Sequence, residues 1–369
     1  MKVCGVVVEY NPMHLGHLYH LKKAKEISGS DILVAVMSGN FVQRGEFAII
    51  DKWSRAKAAV ENGIDLVLEL PFVFALQSAT NFGKNAVDIL EKAGCDSIVF
   101  GSETNNLDEL KEIASMNFKI DNFKENMKKG YSYPYTYGYM CDSYGPNDIL
   151  AISYLRELNK FPHMIPYSVL RTTDYNDDIM HTDYSSALAI RTALLKNEDV
   201  SKQCLIKNID KLNYPTWNDY YNIVRYLLLN TPINDLQQIF LMDEGIEKHL
   251  AKQAYTCYNY QDFIRQATTR RYTKSRIQRT LCHLIVHNTK EDMANLPPYD
   301  TLRVLAFSDK GKQYLKQLQR ENVKIANHFT ANIKQYRDIE FKAAVAYSAL
   351  MSEKQKHYIC RAEISGLNL

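Results

Sequence analysis

The stretch "EYNPMHLGHLYH", from Glu9 to His20, sets two histidines around one glycine, with a third histidine three residues later. Such a trio can ligate a metal or cradle a phosphate. For a metal, His14, His17 and His20 would share one side of a helix and Glu9 would add a carboxylate. Against that reading, His14 falls before the helix, in a turn containing Pro12 and Gly16. A glycine there lets a ligand approach the backbone closely. A helix starting at this point also aims free N–H groups and its positive dipole end at the loop, which suits an anion. A neutral imidazole donates one N–H to a phosphoryl oxygen, most strongly as charge develops in a transition state. Phosphate is the better fit. Histidines that merely cap or pack would account for one of the three more easily than for all of them.

A second charged stretch points to a larger anion. "RQATTRRYTKSRIQR", Arg265 to Arg279, holds six basic side chains and no acid. Arg270, Arg271, Lys274, Arg276 and Arg279 lie at or near the start of an amphipathic helix with Ile277, Leu281, Leu284 and Ile285 on its apolar side. That pattern fits a polyanion better than a small neutral ligand. "YSYPYTYGY", Tyr131 to Tyr139, places a tyrosine at every second residue. It reads as an edge strand or packed loop, because Pro134 and Gly138 interrupt a central strand; a stacking platform for bases is the alternative.

The elements that must position these residues are legible as apolar runs. Val3–Tyr10, Asp31–Ser38, Asp65–Pro71 and Asp96–Glu103 read as buried strands, separated by helical spacing over His17–Ile27, 52–63 and 78–94. After a polar helical stretch from Asn106 to Lys129, a helix restarts at Pro146, a fifth strand follows at His163–Arg171, and Ser185 and Ser186 open another helix. Repeated β-α-β units predict an α/β fold with a Rossmann-like parallel sheet, whose ligands sit at the carboxyl ends of strands. Beyond about Asn197 long helical segments take over. The expected organisation is a nucleotide-binding domain over 1–196 and a mostly α-helical domain over 197–369.

At 369 residues the chain suits two domains, and 46% hydrophobic with 24% charged residues is ordinary for a globular protein. The net charge of +3 matters less than its distribution. No apolar run reaches the roughly 18 residues of a membrane span. The N-terminus leads too directly into the histidine motif to be a signal peptide, so a cytoplasmic location is expected. The seven cysteines are scattered, with no C-x-x-C, which predicts reduced and mostly buried thiols.

"NPMHLGH" after a buried first strand resembles the His-x-Gly-His signature of the nucleotidyltransferase superfamily. The resemblance extends along nearly the whole chain, through "VMSGNFVQRGEFAIIDKWSRAKAA", "GIDLVLELPF", "FGSE", "SSALAIR" and "RYTKSRIQRTL" in order. Together these resemble the bacterial tRNA(Met) cytidine acetate ligase family. The resemblance implies activation of acetate by ATP as acetyl-adenylate, release of pyrophosphate, and transfer of the acetyl group to N4 of the wobble cytidine (C34) of elongator tRNA(Met). It implies catalytic roles for His14 and His17. It implies nucleotide contacts at Gly101, Asn147 and Arg171. The residues themselves add His14, Gly16 and His17 in the phosphate turn, Asn11 and His20 as supporting donors, Val7 and Glu9 on the strand leading into it, and Arg171 and Arg191 as clamps on the β- and γ-phosphates. No dedicated metal site is expected; Mg²⁺ is the default companion of ATP phosphates. The basic residues from Arg270 to Arg279 are the expected tRNA contacts.

Two departures stand out. Leu188 occupies a position where the family commonly carries threonine, so Ser185 or Ser186 would have to supply the hydroxyl. Phe47 replaces a usual proline, which is expected to loosen the "QRGE" loop. Two other functions share parts of this pattern: a small-molecule adenylyltransferase, and a nonenzymatic RNA-binding protein with a vestigial nucleotide fold.

Overall fold

The computed structural model describes residues 1–116, 144–171, 178–181, 183–207, 209, 214–328 and 331–365. The Tyr131–Tyr139 run lies outside them. The strands are β1 Val3–Val8, β2 Ile32–Ser38, β3 Phe41–Val42, β4 Glu46–Phe47, β5 Leu66–Leu70, β6 Ser97–Ser102, β7 Ile165–Leu170, β8 Thr301–Phe307 and β9 Lys324–Ala326.

Seven of them form one sheet in the order β7-β6-β1-β2-β5-β8-β9. β1 pairs in parallel with β2 and β6, β2 with β5, and β6 with β7. From β1 the chain builds outward through β2 and β5, then returns to the other side of β1 with β6 and β7. The order therefore reverses between β1 and β6, and a crevice opens at their carboxyl ends. This is the α/β architecture with a Rossmann-like, mostly parallel sheet that the sequence predicts, and each strand read from an apolar run is present.

Alternation on β2 shows why those runs are continuous. Ile32, Val34 and Val36 join one apolar cluster, while Leu33, Ala35 and Met37 join another on the opposite face. Helices Leu15–Ser28 and Lys52–Glu61 cover the second face with Leu21, Ala24, Trp53, Ala56 and Ala59. Helix Ala79–Lys92 lies so close on the first that a Cβ at Gly5 would come within 2.6 Å of Leu90. Burial of both faces forces hydrophobic residues at successive positions.

The later half is built from helices, among them Trp217–Asn230, Ile246–Thr256, Tyr260–Ala267, Lys274–Val286, Lys334–Ser348 and Glu353–Ser365. It also supplies two strands absent from the sequence reading. β8 pairs antiparallel with β5, and β9 pairs with β8. One apolar cluster runs from the sheet into these helices, including Val224, Leu250, Phe263, Ile277 and Leu281. Lys52 is buried among Glu69, Glu340 and Glu363, tying two C-terminal helices to the end of β5. Among the described residues five cysteines are buried and one half-buried, all as free thiols, and no helix is long and apolar enough to cross a membrane.

Candidate active site at the carboxyl edge of the sheet

His14 is the N-cap of helix Leu15–Ser28, with extended backbone (φ −143°, ψ 175°). Its Nδ1 accepts from Gly16 N at 3.1 Å, and its own N–H donates to His17 Nδ1 at 3.3 Å. Two imidazoles thus perform the reciprocal capping that Ser and Glu usually share. The rings stand 3.8 Å apart between centroids, and Tyr10 meets His17 edge-on at 4.9 Å.

Burial holds all three histidines neutral at pH 7. It pushes His14 down to about 3, with Arg171 and Arg191 adding to the effect. His17 is pushed well below its ordinary value by burial, then by His14 and Arg171. Burial and Arg171 bring His20 to about 4. A neutral imidazole carries one ring proton, and both Nδ1 atoms accept from backbone N–H groups. The proton of His14 and of His17 must therefore sit on Nε2. Each ring presents one N–H donor to whatever enters the turn. His20 Nε2 is shielded from solvent and meets no hydrogen-bond partner among the described residues.

Asn11 and Glu9 serve the turn itself. Asn11 Oδ1 accepts from Ile49 N at 2.7 Å, and Glu9 Oε1 accepts from Gln43 N at 2.7 Å. Burial raises the Glu9 carboxyl above its ordinary range. Val7 packs against the apolar core on β1. Arg191 donates to the Asn11 carbonyl at 2.8 Å and lies 3.5 Å from Glu46, so it reaches the turn from helix Ala187–Leu195. The two hydroxyls expected to replace the family threonine are otherwise engaged. Ser186 accepts from Ala189 N as an N-cap, and Ser185 bonds the backbone of His181.

The end of β6 completes the crevice. Ser102 and the backbone N–H groups of Glu103 and Thr104 all donate to the buried carboxylate of Asp148. Glu103 in turn accepts from the backbone N–H groups of Asn147 and Asp148 and from Asn147 Nδ2. This lattice fixes the start of helix Pro146–Leu158 beside β6. Arg171, just past β7, donates to Asn147 Oδ1 at 3.2 Å, and a Cβ on Gly101 would meet its side chain at 3.4 Å. Gly101, Asn147 and Arg171, far apart in sequence, are thus gathered opposite the histidines. Glu103 and Asp148 were missed by the sequence reading. Their signal was a carboxylate at a strand end and another in a helix first turn, which marks an anion-facing helix start only once the two elements are known to meet.

The "QRGE" and "YTKSRIQR" motifs meet as well. β3 and β4 form a hairpin whose Gly45 takes φ +77°, and a Cβ there would lie 2.2 Å from Arg279 N. Trp217 Nε1 donates to the Gly45 carbonyl at 2.9 Å. Phe47 does not loosen this hairpin as expected. It is buried against Phe41, Trp217, Tyr220 and Tyr347, with ring centroids from 4.4 to 6.4 Å.

The basic segment is less uniform than its spacing suggests. Arg279, expected on a polyanion surface, is only 8% exposed and donates to the Gln43 carbonyl at 3.4 Å. Burial, then Arg276, lowers its pKa to about 10. It faces the hairpin because it lies five residues into the helix, on the side that carries the core. Arg271 and Arg276 share Glu244, a carboxylate brought from another loop, at 3.6 and 3.0 Å. Arg270 and Lys274 are exposed.

A parallel sheet with an order reversal, a capped His-x-Gly-His turn at its carboxyl edge and arginines around that turn define a nucleotidyltransferase of the HIGH class. Residues 1–361 match the family model described as HIGH Nucleotidyl Transferase. The chain is 38% identical to the tRNA(Met) cytidine acetate ligase of Caldicellulosiruptor bescii, over 86% of this chain and 85% of that one. It is 33% identical to that of Bacillus subtilis, over 96% and 93%. Thermotoga maritima TmcAL without ligand superposes with a TM-score of 0.86 at 31% identity, covering 96% of both chains. The same protein bound with alpha-thio ATP gives a TM-score of 0.84. The chain belongs to the tRNA(Met) cytidine acetate ligase family.

Proposed function

We propose that this protein binds ATP in the crevice between β1 and β6, joins acetate to the α-phosphate, and passes the acetyl group to N4 of C34 in elongator tRNA(Met). The observation that carries this reading is the pair of neutral imidazoles whose Nδ1 atoms are occupied by backbone N–H groups. Both Nε2–H groups are left to donate where charge accumulates.

Acetate is a poor acylating agent and needs a leaving group. An acetate oxygen attacks the α-phosphorus in line, the bond from phosphorus to the bridging oxygen breaks, and pyrophosphate leaves with that electron pair. His14 and His17 donate to the α-phosphate oxygens, more strongly in the transition state than before it. Gly16 admits the phosphate to the turn, and His20 offers a further buried ring nitrogen. Gly101 and Asn147 line the nucleotide opposite, and Arg171 holds the β- and γ-phosphates. Arg191, already bonded to the Asn11 carbonyl, shapes the turn and adds positive field. The cytidine N4 amine then attacks the acetyl carbon, AMP departs, and N4 loses one proton. Mg²⁺, the default companion of ATP, would be held largely by the phosphates it accompanies.

We assign the nucleotide chemistry to residues 1–196 and tRNA contacts to residues 197–369, with Arg270, Arg271, Lys274 and Arg276 among them. Labelled pyrophosphate should exchange into ATP when acetate is added and not without it. Exchange that ignores acetate, or none with acetate present, would overturn the activation step.

A further inference from the structure

Among the described residues three tyrosines outside the crevice are more than half exposed. Tyr226, Tyr255 and Tyr258 are 65%, 72% and 77% exposed. Arg225 ties Tyr258 to the helix that carries Tyr255. Its Nε donates to the Ala254 carbonyl at 2.9 Å, and its guanidinium stands 4.8 Å from the centroid of the Tyr258 ring. Tyr258 is thereby held against the end of helix Ile246–Thr256, where Tyr255 follows Ala254. Lys248, Lys252 and Tyr255 are spaced four and three apart on the exposed side of that helix.

The carboxylates bordering this face are engaged elsewhere. Glu247 is buried and accepts from Gln237. Asp262 pairs with Arg265, Asp243 with Lys290, and Glu244 with Arg271 and Arg276. These last three carboxylates are paired with cations, whereas Lys248 and Lys252 are exposed beside Tyr255. The patch is also joined to the crevice. Tyr260, two residues past Tyr258, stacks on Trp217 with centroids 5.9 Å apart, and Trp217 grips the hairpin tip at Gly45. Arg225 lies eight residues along the same helix, about 12 Å from Trp217 at 1.5 Å per residue.

We propose that Tyr255 and Tyr258, braced by Arg225 and flanked by Lys248 and Lys252, form a stacking platform for unpaired bases of the RNA substrate. The proposal rests on the tRNA reading above and assigns part of that partner's footprint. Single-stranded RNA is recognised by aromatic and guanidinium faces that stack on splayed bases, while nearby cations track the phosphates.

The test uses the full chain and filter binding of tRNA across a salt series, with acetate-dependent ATP–pyrophosphate exchange as a check on the fold and crevice. Replacing each tyrosine, Tyr255→Ala and Tyr258→Ala, should weaken binding on the order of tenfold per ring and leave exchange and salt slope unchanged. Tyr255→Phe and Tyr258→Phe, which keep the stacking face, should bind nearly as the wild type does. Lys248→Gln with Lys252→Gln should instead reduce the salt slope, by somewhat under one unit for each phosphate no longer neutralised. Wild-type tRNA affinity in the double alanine variant would overturn the proposal. So would phenylalanine variants as weak as the alanine ones, or a changed oligomeric state with unchanged tRNA binding, which would make the patch an interface between proteins. If the wild type itself neither binds nor acetylates tRNA, the underlying functional reading fails along with it.

Discussion

The histidine turn and the basic segment are both short runs of one residue type, yet folding treats them differently. In the turn, His14 and His17 stay together because the N-cap itself uses them: each Nδ1 holds a backbone N–H. In the segment from Arg265 to Arg279, helix geometry disperses the charges. Arg265 pairs with Asp262, Arg271 and Arg276 converge on Glu244, and Arg279 turns inward to the hairpin. A chemical cluster survives folding when its side chains also satisfy the backbone that carries them. A run of charge carries no such guarantee, and each member must be placed before a role is given to it.

Substitutions in the two regions probe that contrast, beginning where the loss should be greatest. Replacing His14 or His17 by alanine removes one transition-state donor. Acetate-dependent pyrophosphate exchange should fall on the order of a hundredfold or more, with tRNA binding close to wild type. Exchange at the wild-type rate in either variant would remove the turn from the chemistry. Gly45→Ala strikes the joint between the two regions. The left-handed backbone costs about 1–2 kcal/mol, and the clash with Arg279 N adds about 1–3 kcal/mol of overpacking. A clear drop in denaturation midpoint should follow; an unchanged midpoint would mean the hairpin does not bear on the helix as described. Reversing Arg271 and Lys274 to glutamate should weaken tRNA binding, most visibly at low salt, and lower the salt slope by somewhat under one unit for each phosphate no longer neutralised. ATP affinity should not move. An unaltered slope would shift the RNA surface away from this segment.

A further effect is one of pH. The folded-state pKa of His14 is about 3, below the roughly 6.5 of an unfolded histidine, so the unfolded chain binds more protons between these values. The stability gained by keeping the ring neutral is fully present above about pH 6.5 and is lost as pH falls toward 3, with a limiting slope of about 1.4 kcal/mol per unit. Between pH 6 and 4 the wild type should therefore lose stability faster than His14→Gln. Equal slopes would contradict a buried, neutral His14.

Much of the fold was legible because parallel strands buried on both faces leave continuous apolar runs, as β1, β2 and β5 do. The position of the crevice followed from the same pattern. β8 and β9 were not read. The pairing of β8 with β5 joins residues more than two hundred positions apart, and the buried Arg303 interrupts "TLRVLAF". In the candidate site the histidines were visible because their spacing is local. Asp148 and Glu103, which lock the end of β6 to the helix bearing Asn147, were not, since each finds its partners 45 positions away in the sequence. Phe47 was misjudged for a related reason. Replacing a loop proline suggests looseness, but the hydrophobic contacts that fix Phe47 come from Trp217, Tyr220 and Tyr347.

If the neutral histidine turn activates acetate for transfer to tRNA, the modified nucleoside itself is the sharpest readout. Mass spectrometry should be applied to nucleosides from elongator tRNA(Met) incubated with the protein, ATP and isotopically labelled acetate. Labelled N4-acetylcytidine at position 34 is expected, dependent on ATP and absent with His14→Ala. Unmodified cytidine from the wild type, with AMP joined instead to a small molecule, would contradict this chemistry.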